Sequence, residues 1–296
     1  MITRSLRRLT LGAALVSGVG CLGVGAASAA TASAASTSAA PTAATGNPTN
    51  TGTSSTGLLS TSFWLASAQG NVWNFGHAAA YGSAGALPLA HPIVAITPTN
   101  QDKGYWLVAS DGGVFTYGNA AFYGSTGALA LNKPIVAMAS TPDGRGYWLV
   151  ASDGGIFTFG DATFYGSTGA LALNKPIVAM APTPDGHGYW LVASDGGIFS
   201  FGDAAFYGST GALTLNEPIV AMAPTPDGRG YWLMASDGGI FTFGDANFYG
   251  STAADAPTDP AEKIVPTASG QGYWIEDQNG TVVPSEAPRV RRRQPA

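Results

Sequence analysis

Short apolar runs, separated by clusters of Gly, Pro, Asp and Ser, fill the chain from about Ser62 to Val283. One stretch shows the pattern. Ile177-Val178-Ala179-Met180-Ala181 is followed by Thr183-Pro184-Asp185-Gly186, where Pro presets φ and Gly admits φ > 0. Gly188-Tyr189-Trp190-Leu191-Val192-Ala193 comes next, then the hairpin signal Ser194-Asp195-Gly196-Gly197. Ile198-Phe199-Ser200-Phe201 makes a third run. Gly202-Asp203-Ala204 turns into Ala205-Phe206-Tyr207-Gly208, read as a short fourth strand. Turns this short force antiparallel neighbours. The prediction is four strands per unit.

The unit repeats. Its tryptophan stands at Trp64, Trp106, Trp148, Trp190, Trp232 and Trp274, each step being 42 residues. A fixed period of this size marks a propeller, a solenoid or an array. In the second strand Trp190 and Val192 point one way, and Tyr189, Leu191 and Ala193 the other. Both sets are apolar, whereas a sheet with one wet face alternates apolar with polar. Each small sheet is therefore expected to be packed on both sides. The fold expected is all-β, a β-propeller of about six four-stranded blades, with a β-hairpin solenoid as the alternative. Each buried Trp would contribute roughly 4–6 kcal/mol as an upper bound. The last blade is short, ending at Thr281-Val282-Val283, and Gly57-Leu58-Leu59 offers a first strand to the first blade.

The ends read differently. Arg4, Arg7 and Arg8 precede an apolar stretch from Leu9 to Ala26 and a small-residue site at Ala27-Ser28-Ala29, which predicts a signal peptide over 1–29. Arg7-Arg8 loosely resembles a twin-arginine signal, and ordinary Sec export fits as well. Cys21, the single cysteine, leaves with the signal, so no disulfide supports the mature fold. Residues 30–56, dominated by Ala, Thr and Ser, are expected to form a disordered tether, the repeat domain to cover 57–284, and a basic tail to follow over 285–296. Localisation is expected to be secreted or at the cell envelope, with no membrane span once the signal is removed.

Charge excludes one class of partner. The chain has 13 Lys+Arg and 18 Asp+Glu. Setting aside the bases of the signal and Arg289 to Arg293 leaves six bases against those 18 acids, a net of −12 over the span from Asp102 to Glu286. Such a body repels polyanions, so nucleic acid is not an expected ligand.

The unit Gly-Tyr-Trp-Leu-Val-Ala-Ser-Asp-Gly-Gly, as in Gly146 to Gly155, resembles the repeat arrays of exported actinobacterial proteins, over about Ser62 to Val283. That resemblance implies export and a propeller-like fold, and it transfers no catalytic residues. The order of strands is similar, less closely, to NHL-type propellers. Ser152-Asp153-Gly154-Gly155 lacks the spacer of a sialidase Asp-box, and choline-binding repeats run at about half this period.

Candidate chemistry is sparse. Asp111, Asp153, Asp195 and Asp237, and Asp143, Asp185 and Asp227, sit in turns and are read as accepting from backbone N–H groups two residues on. With one carboxylate per turn, no metal is expected. Lys103, Arg145, His187 and Arg229, with Gln271, occupy one variable position before each Gly-Tyr-Trp. In a propeller they share one face and offer a basic ring for a carboxylate or phosphate; solubilising loop tips are the plainer reading. His91, Lys133, Lys175 and Glu217 form a second variable set. Trp73 breaks the third-strand pattern and is a candidate platform for a sugar ring. His77, His91 and His187 fall in unrelated registers, and no copy is read as breaking the repeat with an acid, so no catalytic residue and no cofactor are expected. The expectation is a non-catalytic binding module for carbohydrate or another envelope polymer. A protein-interaction or structural module is the second reading and a glycosidase-like enzyme the third.

Overall fold

The computed structural model describes residues 63–253, 259–278 and 280–286. The stretches read as a signal peptide and a tether, together with Gly57-Leu58-Leu59 and Arg289 to Arg293, lie outside the described residues.

Six sheets follow one another along the chain. The first has two strands, β1 (Phe63–Ala66) and β2 (Val72–Phe75). The second holds β3 (Ile93–Pro98), β4 (Gly104–Ala109) and β5 (Val114–Gly118). The third holds β6 (Ile135–Ser140), β7 (Gly146–Ala151) and β8 (Ile156–Gly160). The fourth holds β9 (Ile177–Pro182), β10 (Gly188–Ala193) and β11 (Ile198–Gly202). β12 (Ile219–Pro224), β13 (Gly230–Ala235) and β14 (Ile240–Gly244) make the fifth. β15 (Ala261–Pro266), β16 (Gly272–Asp277) and β17 (Val282–Glu286) make the last, carrying the fold past the 284 boundary read from the sequence. All pairings are antiparallel, and the Gly-Tyr-Trp strand is central in every three-stranded sheet.

The predicted fourth strand does not form. Ala205 to Gly208 and its counterparts carry no ladder. Side chains take the place of a partner strand. The Trp190 indole donates to the Ala205 carbonyl at 2.7 Å, and the Tyr231 hydroxyl, from the next sheet, donates to the Gly208 carbonyl at 2.6 Å. Tyr231 also accepts from the Tyr207 N–H at 3.2 Å. With its backbone groups satisfied in this way, the segment gains nothing from joining the sheet. Each described sheet therefore has at most three strands, and the fourth segment is a strap between sheets.

The two-faced packing appears as expected. Trp148 and Val150 of one sheet share a core cluster with Tyr189, Leu191 and Ala193 of the next, roofed by Ile177 and Met180. The same set recurs one sheet on. Trp106, Trp148, Trp190 and Trp232 are at most 1% exposed. Each meets the next sheet's Tyr edge-on, as for Trp148 and Tyr189 at 5.9 Å between ring centroids. Edge-to-face contact suits the quadrupoles of the two rings.

Backbone bonds add to this. The Ile177 N–H donates to the Ser152 carbonyl, joining a central strand's exit to the next inner strand. At Gly154, φ is +79° and a Cβ would fall 1.8 Å from Thr168 Oγ1, so the turn admits only glycine. The last sheet reaches back to the first: a Cβ on Gly280 would lie 3.2 Å from Leu65 Cδ1 and 3.9 Å from Phe75 Cζ. The six sheets thus close on one another around a common axis, as a solenoid does not.

Candidate functional site

The loops between inner and central strands gather at one end of the axis. Pro98, Pro142, Pro184, Pro226 and Pro266, from five successive sheets, line a single cavity of about 500 Å³. Lys103, Arg145, His187, Arg229 and Gln271 stand on these loops, all exposed. Three of these groups are paired within their own turns. Arg145 lies 3.8 Å from Asp143, His187 3.2 Å from Asp185, and Arg229 3.8 Å from Asp227, each within its own turn. The pairs are well exposed, so they contribute little stability.

The turn carboxylates act as the sequence indicates. Asp111, Asp153, Asp195 and Asp237 accept from the N–H of the glycine two residues on at 2.8–2.9 Å. Asp143 and Asp227 accept from the N–H of Arg145 and Arg229. Those backbone donors hold both carboxyls below the usual range, and the His187 N–H does the same for Asp185.

Sequence reasoning missed a second carboxylate in each of these loops. Thr141 Oγ1 lies 3.0 Å from both Asp143 Oδ1 and Asp161 Oδ1 and accepts from the Gly146 N–H. Thr183 and Thr225 repeat the arrangement with Asp203 and Asp245. Asp185, His187 and Asp203 thereby present ligand-competent atoms within 4.8 Å of one another, all on exposed residues. The equivalent loops carry Arg145 and Arg229 in place of His187. With Thr183 engaging both carboxylates and His187 paired to Asp185, the group is a network that locks the turn.

The strap carries a regular exposed aromatic feature, and Leu87, Leu129, Leu171 and Leu213 recur at the same step a few residues on, also exposed. Phe122, Phe164, Phe206 and Phe248 are 57–61% exposed at one position in four consecutive sheets. The neighbouring tyrosine explains why. Tyr165 turns inward and donates to the Gly186 carbonyl at 3.0 Å, while the Thr163 carbonyl is held by Trp148. Phe164, between two anchored groups, is left facing outward. The residue before it drifts through Ala121, Thr163, Ala205 and Asn247, yet the phenylalanine does not change. In the first sheet the position is Ala80. Reading the segment as a strand concealed this array. Trp73 lies on β2, opposite Leu65, and is 40% exposed.

The other end of the axis is a cavity of about 510 Å³. Four inner strands offer it valine and alanine: Val94 and Ala95, Val136 and Ala137, Ala179, Val220 and Ala221. At the equivalent places the last sheet offers Glu262 and Lys263. Its central strand carries Glu276 where Val108, Val150, Val192 and Met234 stand elsewhere. The expectation that no copy breaks the repeat with an acid is therefore corrected. The apolar pair Ile264-Val265 in Ala261-Glu262-Lys263-Ile264-Val265 keeps the strand pattern and masks the exchange.

Glu276 is 6% exposed and directly opposite Lys263 across the ladder. Burial pushes its carboxyl up to about 7, with Lys263 opposing the shift. Burial raises Glu262 as well and lowers Lys263.

No family model matches the chain, and no curated protein matches it. Solved structures do. The β-propeller domain of Myceliophteria thermophila Cps50 (Swd1) is 10% identical, over 71% of this chain and 70% of that one, with a TM-score of 0.46. Chaetomium thermophilum Sqt1, solved bound to the N-terminus of the ribosomal protein L10, is 15% identical over 76% of this chain and 67% of its own, with a TM-score of 0.52. With the sheet order and closure described above, the chain is a β-propeller. Among the described residues no helix is long and apolar enough to cross a membrane.

Proposed function

We propose that this propeller is a non-catalytic binding module of the cell envelope, engaging a repetitive polymer, carbohydrate foremost, through equivalent positions on consecutive blades. The observation that carries the reading is the array Phe122, Phe164, Phe206 and Phe248, exposed at one register in four blades. An exposed aromatic ring offers a flat apolar face, and four at a fixed interval suit a ligand that repeats. Individually weak contacts then combine by effective concentration. Lys103, Arg145 and Arg229 add cationic tips that would grip carboxylate or phosphate groups along such a polymer. The signal-peptide pattern at the N-terminus supports export.

A protein partner is the second reading, favoured by the likeness in fold to Sqt1, which was solved bound to a peptide segment. One experiment separates the two. The mature protein is mixed with insoluble cell wall, and soluble sugars or envelope proteins are added as competitors. Release by sugar supports the polymer reading. Retention that only protein competitors reverse supports the second.

A further inference from the structure

The last blade departs from the repeat at three positions that meet in one cavity, and the departures share a chemistry. Glu262 and Lys263 replace a valine and an alanine on the inner strand, and Glu276 replaces the valine or methionine of the central strand. In the other blades that central residue packs against the next inner strand, as Val150 does against Ile177. Here the next sheet is the two-stranded one, and Leu65, Ala66 and Ala68 line the cavity in place of an inner strand.

Glu276 is more than nine-tenths buried, lines this cavity, and has no hydrogen bond or ion pair within 4 Å among the described residues. A carboxylate desolvated without a partner is costly. The nearby charges do not balance: Glu262 and Glu276 face a single ammonium, Lys263. Asp277 is turned to the hairpin, accepting from the Thr281 N–H at 2.8 Å. Gln278 is uncharged, and the remaining walls from the other blades are aliphatic. With both carboxyls ionised, the deficit is one positive charge, beside an apolar wall.

We propose that this end of the axial channel is a binding site for a primary ammonium on a short aliphatic stem, its charge set against Glu276 and Glu262 and its stem along the Val and Ala wall. The ammonium supplies the missing charge and donates to the unpartnered carboxylate. The stem lies along apolar surface that the described residues of the first sheet leave open. Such a group is either a free aliphatic amine or a lysine-type side chain on a peptide. The inference does not depend on the polymer reading, since the Phe array lies on the straps and the amine site on the axis.

The test is calorimetric titration of the full mature chain with n-pentylamine, with 1-pentanol as the uncharged isostere, and with a short peptide bearing one lysine. Saturable one-to-one binding of pentylamine is expected, at least tenfold tighter than pentanol. Glu276→Val, which restores the residue of the other blades, should weaken it at least tenfold, and Glu276→Gln nearly as much. Lys263→Met should tighten it by removing the competing cation. Pentylamine binding with peptide binding assigns a side-chain ligand, and without it a free amine. Replacing the four strap phenylalanines should leave amine binding unchanged. No binding of either amine, or equal binding by wild type and both Glu276 variants, overturns the proposal.

Discussion

The hydroxyl of Tyr189 donates to the carbonyl of Gly166 at 2.6 Å and accepts from the Gly166 N–H at 3.1 Å, bridging one blade's central strand to the strap leaving the blade before it. One side chain thus satisfies a backbone donor and acceptor that a fourth strand would have used. Burial raises the tyrosine hydroxyl above its ordinary range, keeping it protonated and able to donate. Tyr147, Tyr231 and Tyr273 repeat the contact at 2.5–2.6 Å. The coupling between blades is therefore polar as well as apolar.

Tyr189→Phe should keep the ring packing and lose only this bridge. Buried groups left without partners cost about 1–3 kcal/mol. Urea unfolding should show a lower midpoint with an unchanged slope. An unchanged midpoint would mean that water replaces the hydroxyl at no cost.

Gly154→Ala tests the turn that stitches strap to hairpin. The backbone there lies at φ +79°, and the added methyl meets the buried Thr168 hydroxyl. A loss of roughly 2–4 kcal/mol is expected from strain and overpacking together. Gly155→Ala is the comparison, since its Cβ meets nothing closer than 3.1 Å, and it should cost less.

How much of this was legible in the chain follows from where each signal resides. The 42-residue period and the two apolar faces of Gly-Tyr-Trp-Leu-Val-Ala are sequence properties, and the packing of Trp148 on Tyr189 follows from them. The strap was misread because Ala-Phe-Tyr-Gly has strand-like composition. Nothing in one sequence shows that a tyrosine hydroxyl 23 residues on will take its backbone bonds. The exposed phenylalanines were hidden by the same error. Glu262, Lys263 and Glu276 are visible as departures from the repeat, but only the closure of the last sheet onto Leu65 gives them a shared cavity.

Stability should depend on pH through Glu276. Its carboxyl titrates near 7 when folded, against an ordinary value of 4.5. Between those values the folded chain holds a proton that the unfolded chain has released, so stability falls as pH rises from about 4.5 to about 7. The full span is worth about 3 kcal/mol. Glu262, raised by burial, acts in the same direction, while Lys263, lowered by burial, acts in the opposite one above its folded pKa. Urea midpoints should fall across this window in wild type and much less in Glu276→Val. Equal slopes in the two proteins would place the carboxylate in contact with water.

Retention on insoluble cell wall, measured as phenylalanines are removed one at a time from Phe122, Phe164, Phe206 and Phe248, bears most directly on how this propeller binds. The account predicts a stepwise fall, with each Phe→Ala lowering affinity by a similar factor, the quadruple variant unretained, and unfolding midpoints unchanged throughout. A quadruple variant held as firmly as wild type would contradict it.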